Sequence, residues 1–446
     1  MRRRVESWLG RPVDIASIVL MRVSFGLLML WEVTRYFNHD WIEEYWIEPQ
    51  FHFHYFGFDW VRVWPGDGMY WHFVGIGVLA FLVTVGLFYR FASVLLFLAF
   101  SYVFLLEQAR YLNHFYLVCL VSFLMAVIPA HGAGSLDVRL GLYRRRDTVP
   151  NWCLALLRFQ MGVVYFFGGI AKINGDWLAG EPLRTWLRAR GDYPLIGPLF
   201  ENEGVVMSMV YGGLLFDLLI VPLLLWRPTR GIGFLGVLFF NLMNAMLFNI
   251  GIFPWFAIAM STLYFASDWP RRFFVFKAVE CDGARKPVSQ VRSHVVMAFC
   301  CVYVGWQLFL PTRHWLYPGQ VSWTEEGHLY AWHMKLRSKS GRVKFFVKNE
   351  DNGQETTVNI PDFMETWQAR RMATKPDMII QFAHSLGDKL AREGMTNLSI
   401  RCEARVSLNG RKSQFLIDPE VNLLTKERSW KAKDWVLPLL QPLPRK

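Results

Sequence analysis

One lysine is the most distinctive ionisable residue in the hydrophobic part of the chain. Lys172 is the only lysine before Lys277 and follows the small residues Gly168 and Gly169 at the end of an apolar run. Arginine keeps its charge in proteins, whereas a lysine removed from water can lose its proton and act as a general base. The alternative is a cation that anchors a helix end by reaching to the membrane interface.

A histidine begins another apolar run and is the second candidate for proton chemistry. His114 follows Asn113, and histidine exchanges protons near neutral pH. The alternative is an interface histidine held by a hydrogen bond. The order of the apolar runs predicts that His114 and Lys172 lie at the same membrane face, which favours a joint site.

Further charges inside the apolar runs need partners. For Arg22, Arg158 and Asp217 we expect buried ion pairs that hold the helices together, with a transport pathway as the alternative. Asn241 and Asn244, three residues apart, share one helix face and are suited to hydrogen bonds between helices.

Metal binding has weak support in the sequence. His52 and His54 are two residues apart in an aromatic segment, but no carboxylate or cysteine with suitable spacing is near them. We therefore expect no metal. The sequence also contains no P-loop, no Gly-rich dinucleotide motif, and no HExxH or GxSxG motif.

The composition restricts the class of protein that positions these residues. The chain has 446 residues, of which 53% are hydrophobic, 16% aromatic and 19% charged. Soluble domains carry about 25% charged residues, and a disordered chain would be poor in apolar residues. A polytopic α-helical membrane protein remains.

The apolar runs predict about nine membrane spans, all before residue 312. The third and eighth are short, and each can be tilted, buried or paired differently. The approximate bounds are 14–34, 69–89, 91–107, 112–130, 151–171, 204–226, 231–249, 251–266 and 293–311. We therefore divide the chain into a membrane region, residues 1–311, and a C-terminal region, residues 312–446.

The C-terminal region has the pattern of a strand-rich α+β domain outside the membrane. Residues 341–349 and 397–418 alternate apolar and polar residues, as half-buried strands do. Asn409-Gly410 predicts a hairpin turn within the second stretch. Residues 376–393 have helical spacing of their apolar side chains.

The distribution of positive charge predicts the orientation in the membrane. Basic clusters precede the first span and lie between the fourth and fifth, sixth and seventh, and eighth and ninth spans, the last including Lys277, Arg285 and Lys286. The positive-inside rule places these loops and the N-terminus in the cytoplasm, and residues 312–446 in the periplasm or lumen. The net charge of +12 is thus explained without nucleic acid. The first apolar run has no signal-peptide cleavage site.

Several short motifs in order resemble one known family, the vitamin K-dependent γ-glutamyl carboxylases, with an HTTM-type membrane domain and the length of a bacterial-type homologue. These motifs span nearly the whole chain. They are Asn113-His114 before an aromatic residue, 159–177 (FQMGVVYFFGGIAKINGDW), 211–217 (YGGLLFD), 243–253 (MNAMLFNIGIF), 268–271 (DWPR), 307–311 (QLFLP), Trp323 with Trp332, 415–419 (FLIDP) and 435–440 (WVLPLL).

The resemblance implies a reaction and assigns residues to it. In that family a reduced vitamin K, a hydroquinone, is deprotonated and reacts with O2. The oxygenated product removes a γ-hydrogen from a glutamate, CO2 adds, and the quinone leaves as its epoxide. The resemblance implies that Lys172 deprotonates the hydroquinone and that His114 lies beside the oxygenated intermediate.

The resemblance also implies residues that bind glutamate and quinone, and this sequence departs from the family at some of them. The implied binding residues are Asn113, Asn244, Trp323, His328, Trp332 and His333. The family has Tyr at the position of His328, Asp at that of His333 and His at those of Arg337 and Asn241. These changes leave Lys172 intact and put glutamate recognition in question.

We therefore expect an integral membrane γ-glutamyl carboxylase that uses vitamin K hydroquinone or menaquinol, with O2 and CO2 as co-substrates and no metal. Its partners would be a glutamate-containing peptide or protein, an isoprenoid quinone and membrane lipid, not nucleic acid. The alternatives are a quinol-oxygenating, epoxidase-type membrane enzyme without peptide carboxylation and, third, a transporter using Arg22, Arg158 and Asp217.

Overall fold

The computed structural model describes residues 2–194, 196–248, 250–273 and 290–444. Lys277, Arg285 and Lys286 of the last basic cluster lie outside the described residues. In the membrane region the helices are, in chain order, α1 (Arg2–Gly10), α2 (Ala16–Asn38), α3 (Gly68–Val85), α4 (Tyr89–Leu106), α5 (Asn113–Val127), α6 (Leu136–Arg139), α7 (Asn151–Lys172), α8 (Gly175–Leu178), α9 (Leu183–Arg188), α10 (Glu203–Leu225), α11 (Arg230–Leu247), α12 (Phe253–Ser261) and α13 (Gln290–Thr312).

Among the described residues, seven helices are long and apolar enough to cross a membrane. They are α2, α3, α4, α7, α10, α11 and α13, and each coincides with a predicted span. Two other predicted spans form shorter helices: α5 has 15 residues and α12 has nine. Both pack inside the bundle, where neighbouring helices, rather than lipid, surround much of their surface.

The helix ends near the basic clusters meet on one side of the bundle. Two short strands, β1 (Pro12–Asp14) and β2 (Thr148–Pro150), pair antiparallel there. Arg271 contacts Asp14 at 2.8 Å and Asp147 at 3.3 Å, which ties the ends of three spans together. The described parts of the predicted cytoplasmic loops are therefore neighbours in space.

Large apolar side chains face outward along the long helices. Leu27, Phe81, Phe91, Ile232 and Phe239 are each more than half exposed. A soluble protein does not place so many large apolar groups in water, whereas lipid tails accept them. This surface fits a helical bundle embedded in a bilayer.

Helices α7 and α10 approach closely because α7 has glycine at the contact. A Cβ atom on Gly169 would lie 2.7 Å from the Leu218 side chain and 3.2 Å from its backbone nitrogen. A Cβ atom on Gly168 would lie 3.2 Å from Asp217 Oδ2. Small residues at such positions let helix backbones pack tightly in membranes. The Gly168-Gly169 pair therefore brings Asp217 next to the last turn of α7.

The C-terminal region has the predicted α+β fold. Its helices are α14 (Val321–Thr324), α15 (Thr366–Met372) and α16 (Pro376–Arg392), and its strands are β3 (Lys339–Asn349), β4 (Glu355–Thr357), β5 (Leu398–Leu408) and β6 (Gln414–Phe415). The sheet order is β4-β3-β5-β6, and all pairs are antiparallel. Asn409-Gly410 forms the predicted turn between β5 and β6.

Alternation along β5 explains how the sheet is covered on one face. Ile400, Cys402, Ala404, Val406 and Leu408 are buried, and the residues between them are less so. Successive side chains in a strand point to opposite faces, so one face of β5 is apolar. Helix α16 packs on the apolar side; its Phe382 ring meets the Phe345 ring of β3 at 4.8 Å.

A buried ion pair joins the C-terminal region to the membrane region. Asp176, four residues after Lys172, accepts hydrogen bonds at 2.6 Å from both terminal nitrogens of Arg411 and one at 2.7 Å from Asn409. Asp176, Asn409 and Arg411 are each at least 91% buried. The turn after β5 is thus fixed against the segment that follows α7.

Replacing Arg411 with Met should lower the thermal unfolding temperature in detergent. Removing one partner of a buried pair leaves an uncompensated charge, here that of Asp176, which costs about 3–5 kcal/mol. Arg401→Met is the matched control, because Arg401 lies on β5, just before the turn that carries Arg411, and pairs with Glu355 at the surface. Equal effects of the two substitutions would contradict this account of the junction.

Candidate active site at the junction of the two regions

A cavity of about 600 Å³ lies where the membrane helices meet the C-terminal region. Side chains from α2, α5, α7, α10 and α11 line it from the membrane region. Residues 328–329 and 333–337, Arg371 of α15 and Lys375, just before α16, line it from the other side. Six of the eight predicted site residues are on its wall: Asn113, His114, Lys172, Asn244, His328 and His333.

Lys172 does not stand alone in this cavity. Its Nζ donates a hydrogen bond to Asp217 Oδ2, and both side chains are more than 90% buried. The ammonium also lies 5.5 Å from the centre of the Trp177 ring. Burial of Lys172 beside a carboxylate does not fit a snorkelling anchor, which would place its charge in water.

Asn113 and His114 begin α5 at the cavity. Asn113 accepts a hydrogen bond from the Tyr111 hydroxyl at 3.0 Å and donates one to the His333 carbonyl at 3.3 Å. Among the described residues, no hydrogen bond involves the ring nitrogens of His114. Its ring packs beside Phe115 and Phe253. His114 is therefore positioned by ring packing, and its nitrogens can bind a ligand.

The membrane end of the cavity suits a flat, mostly apolar ring that carries polar groups. Trp177, Phe240, Met243 and Phe253 line it together with the polar groups of Lys172 and His114. Cofactor sites typically combine apolar walls with a few polar groups that set orientation. The residues present therefore fit a quinol.

The other end of the cavity is built by a segment rich in histidine and cations. Arg337 pairs with the buried carboxylate of Glu325 and donates to His328 Nε2 at 2.9 Å. Lys339 shares the same carboxylate at 3.1 Å. Burial favours the neutral acid at Glu325, but the neighbouring cations, chiefly Arg337 and Lys339, hold the pKa of this carboxyl below its usual range.

The two histidines of this segment are neutral. Burial, followed by the charge of Arg337, lowers the pKa of His328 well below its usual range. Burial, followed by the neighbouring His314, lowers the pKa of His333 to about 3. Because Arg337 donates to Nε2 of His328, that ring carries its hydrogen on Nδ1. This Nδ1 and that of His333 are buried with no described hydrogen-bond partner.

The backbone of this segment is unusual. Glu325, Tyr330, Trp332 and Lys335 have positive φ values of 52–68° although none is glycine. Such residues cost about 1–3 kcal/mol each and persist where the surrounding packing enforces them, often at functional sites. Residues 325–335 are therefore held in a particular shape over the cavity.

The two predicted tryptophans are not among the cavity-lining residues. Trp323 is buried in the core of the C-terminal region, where its indole nitrogen donates to the Leu437 carbonyl at 2.7 Å. Trp332 is fully buried, and its ring lies 5.2 Å from that of Tyr116. Trp332 thus anchors the loop that carries His328 and His333, and its binding role remains a prediction.

The expected ion pairs among Arg22, Arg158 and Asp217 are wrong in their pairing. Arg158 donates to the backbone carbonyls of Leu263 and Phe265, and Arg22 donates to carbonyls in residues 130–134. Carbonyls at helix ends have no partner within their own helix, and arginine satisfies several of them at once. Asp217 is thereby left for Lys172.

Several features of this site could not be predicted from the sequence. The sequence identifies Asp217 as an intramembrane charge at the end of the motif 211–217, but it does not predict the pairing of Asp217 with Lys172. Arg110 and Lys375 also line the cavity. Neither carries a motif, and only the tertiary fold brings them together. Within the described residues no group of three His, Cys, Asp or Glu side chains is arranged to hold a metal ion.

Comparison with known proteins gives two family matches. Residues 10–269 match the model described as the HTTM domain. Residues 292–442 match the model described as the lumenal domain of vitamin K-dependent gamma-carboxylase. No solved structure matches the chain.

The neutral histidines predict a loss of stability in acid. Unfolded histidine has a pKa of about 6.5, so below that pH the unfolded state binds protons that buried His333 does not, and unfolding is favoured as the pH falls. Between pH 7 and 5 this costs about 2 kcal/mol. In His333→Gln the thermal unfolding temperature should fall less over this range than in the parent chain.

The control for this measurement is His39→Gln, because His39 is exposed. It should retain the full decrease between pH 7 and 5. An unchanged decrease in His333→Gln would mean that His333 is not held neutral in the folded protein.

Proposed function

Because this chain belongs to the vitamin K-dependent γ-carboxylase family, we propose that it is an integral membrane enzyme that couples oxygenation of a reduced quinone to carboxylation of glutamate. The quinone is vitamin K hydroquinone or menaquinol, O2 and CO2 are co-substrates, and the acceptor is a glutamate-containing peptide or protein. The observation that carries this proposal is that Lys172 and His114 line one cavity, with the Lys172–Asp217 pair at its wall.

Lys172 is assigned as the group that takes the hydroxyl proton of the hydroquinone. In a site without water both charges of an ammonium–carboxylate pair are desolvated. The free energy of the charged pair therefore lies closer to that of the neutral amine and acid than it does in water. Lys172 Nζ can therefore pass a proton to Asp217 Oδ2 and accept one from a hydroxyl. The ammonium then faces the deprotonated oxygen, and Asp217 holds the extra proton.

His114, Asn113 and Asn244 are assigned to binding and orientation at the same end of the cavity. His114 has no described hydrogen-bond partner within the protein, so its ring nitrogens can meet an oxygen of the ligand. Asn113 ties the start of α5 to the backbone of His333. This contact fixes the position of His114 relative to the loop of residues 325–335.

When bound, the reduced quinone supplies, on reaction with O2, a base strong enough to remove the γ-hydrogen of glutamate. The contribution of the protein is to exclude water and to fix the partners. Apolar walls such as Phe240 and Met243 and the buried loop around Trp332 restrict water at the reacting centre. A nucleophilic carbon centre formed there meets CO2 rather than a solvent proton.

We also assign the division of the chain and its orientation as proposals. Residues 1–311 form the membrane region with a cytoplasmic N-terminus, and residues 312–446 lie in the periplasm or lumen. The positive-inside rule and the clustering of basic loops at one side of the bundle support this orientation. The quinol-binding end of the cavity then lies near the outer membrane interface.

Replacing Lys172 with Ala should reduce quinone epoxide formation by about 100-fold or more, because the proton acceptor is lost. The rate of epoxide formation in Asp217→Asn should lie between those of Lys172→Ala and the parent chain. The amine of Lys172 remains in this variant but has no partner to receive its proton. Epoxide formed from added hydroquinone in detergent-purified protein measures both effects.

The control is Lys344→Ala, since Lys344 is an exposed residue of β3 and does not line the cavity. It should keep full activity. Full epoxide formation in a folded Lys172→Ala protein would exclude Lys172 as the base.

One observation favours a second candidate, a quinol-oxygenating enzyme that does not carboxylate peptides. His328, His333 and Arg337, three positions at which the sequence departs from the family pattern, lie together at one end of the cavity. Incubation with hydroquinone, labelled bicarbonate and a glutamate-rich peptide separates the two. A carboxylase should fix label in the peptide in proportion to the epoxide that it forms. Epoxide formation without labelling of any of several peptides would favour the second candidate.

A further inference from the structure

Four cations on the wall of the cavity lie close to one another, at the end built by the C-terminal region. They are Arg110, before α5; Arg337, before β3; Arg371, on α15; and Lys375, at the start of α16. They are separated in sequence by up to 265 positions, so no basic run creates this cluster. We call these four residues the cationic end of the cavity.

Most of this positive charge has no carboxylate to balance it. Glu325 pairs with Arg337 and also with Lys339, which lies outside the cavity wall. Two further acids are near: Glu32 pairs with Arg35, and Glu107, whose charge acts on Lys375, contacts His52 and accepts a hydrogen bond from Gln368. Within the described part of the chain, Arg110, Arg371 and Lys375 form no ion pair.

The environment makes this excess costly. The Arg110 guanidinium lies 3.5 Å from the centre of the Tyr45 ring, and its Nε has no hydrogen-bond partner among the described residues. Burial lowers the pKa of Lys375 to about 8, and Arg371 and Arg337 add to the decrease against the opposing charge of Glu325. Desolvated cations need an anion or they lose stability.

A neutral donor points to the same kind of ligand. His328 is 92% buried and borders the cavity, and its Nδ1–H has no described acceptor because Nε2 already accepts from Arg337. Three cations that form no described ion pair, together with an N–H donor that has no described acceptor, form a site for negatively charged oxygen atoms.

One carboxylate cannot balance this end of the cavity. A glutamate side chain brings a single negative charge, and it must also place its γ-carbon near the quinol at the Lys172 end. We propose that the cationic end is a subsite for a second carboxylate, so that the substrate acid carries two carboxylates within reach of one another. This inference rests on the proposed function for the identity of the first carboxylate.

Two sources can supply a second carboxylate. One is the α-carboxylate of a glutamate at a free C-terminus, and the other is the side chain of a neighbouring acidic residue. Arginine binds either in the same two-point geometry, so the chemistry of the subsite is shared. Three probes distinguish them: N-acetylglutamate, its α-amide of the same size, and the longer dipeptide acetyl-Glu-Glu-amide.

The test is direct binding to the full chain in detergent at constant ionic strength, measured by calorimetry without turnover. N-acetylglutamate or acetyl-Glu-Glu-amide should bind about tenfold or more tightly than the monocarboxylate α-amide, as a charge-assisted contact predicts. Whichever diacid is preferred assigns the source. In Arg371→Gln and in Lys375→Gln this ratio should fall towards one, whereas Arg392→Gln, an exposed change on α16, should keep it.

Three outcomes would overturn the subsite. The first is that the parent chain binds mono- and dicarboxylates equally tightly. The second is that the binding ratio is unchanged in both variants. The third is that inorganic phosphate binds as tightly as the diacid and that its binding is lost in the same variants. Failure of the proposed function would give a different result. Label fixation or epoxide formation would be absent, but the parent chain would still prefer the diacid and the two variants would still lose that preference.

Discussion

The contact on which the rest of the site depends is the buried pair of Lys172 and Asp217. It exists because Gly168 and Gly169 let α10 approach the last turn of α7. A lone buried lysine would carry a large desolvation cost, and a lone buried aspartate likewise. Together they form a buried pair on the wall of the cavity, where the proposed function places the quinol.

The C-terminal region completes this site. Asp176 fixes the chain after α7 to Arg411, and Trp332 anchors a loop whose backbone is held in strained conformations. The loop places His328 and His333 on the cavity wall opposite the membrane helices. The same cavity therefore has an apolar end at the helices and a charged end at the C-terminal region, which suits a quinone and a polar acid held side by side.

Much of the fold could be predicted from sequence, because hydrophobic runs and strand alternation are local signals. The helix of residues 376–393 and the turn at Asn409-Gly410 were correct for that reason. The placement of Lys172 and His114 on one cavity followed from span order. The partner of Lys172 could not be predicted, since it depends on helix packing, and neither could the convergence of Arg110 with Lys375. Trp323 and Trp332 pack in the core and do not line the cavity, so their predicted binding role stays a prediction.

The most direct test of the account is a structure of the protein with a reduced-quinone analogue bound. The account predicts a flat ring between Lys172 and His114, with one ring oxygen within about 3 Å of Lys172 Nζ, the range of a hydrogen bond. The assignment of this cavity as the site of quinol chemistry would be contradicted if the analogue bound elsewhere. In that structure Lys172 would still contact Asp217, and His114 would contact no ligand.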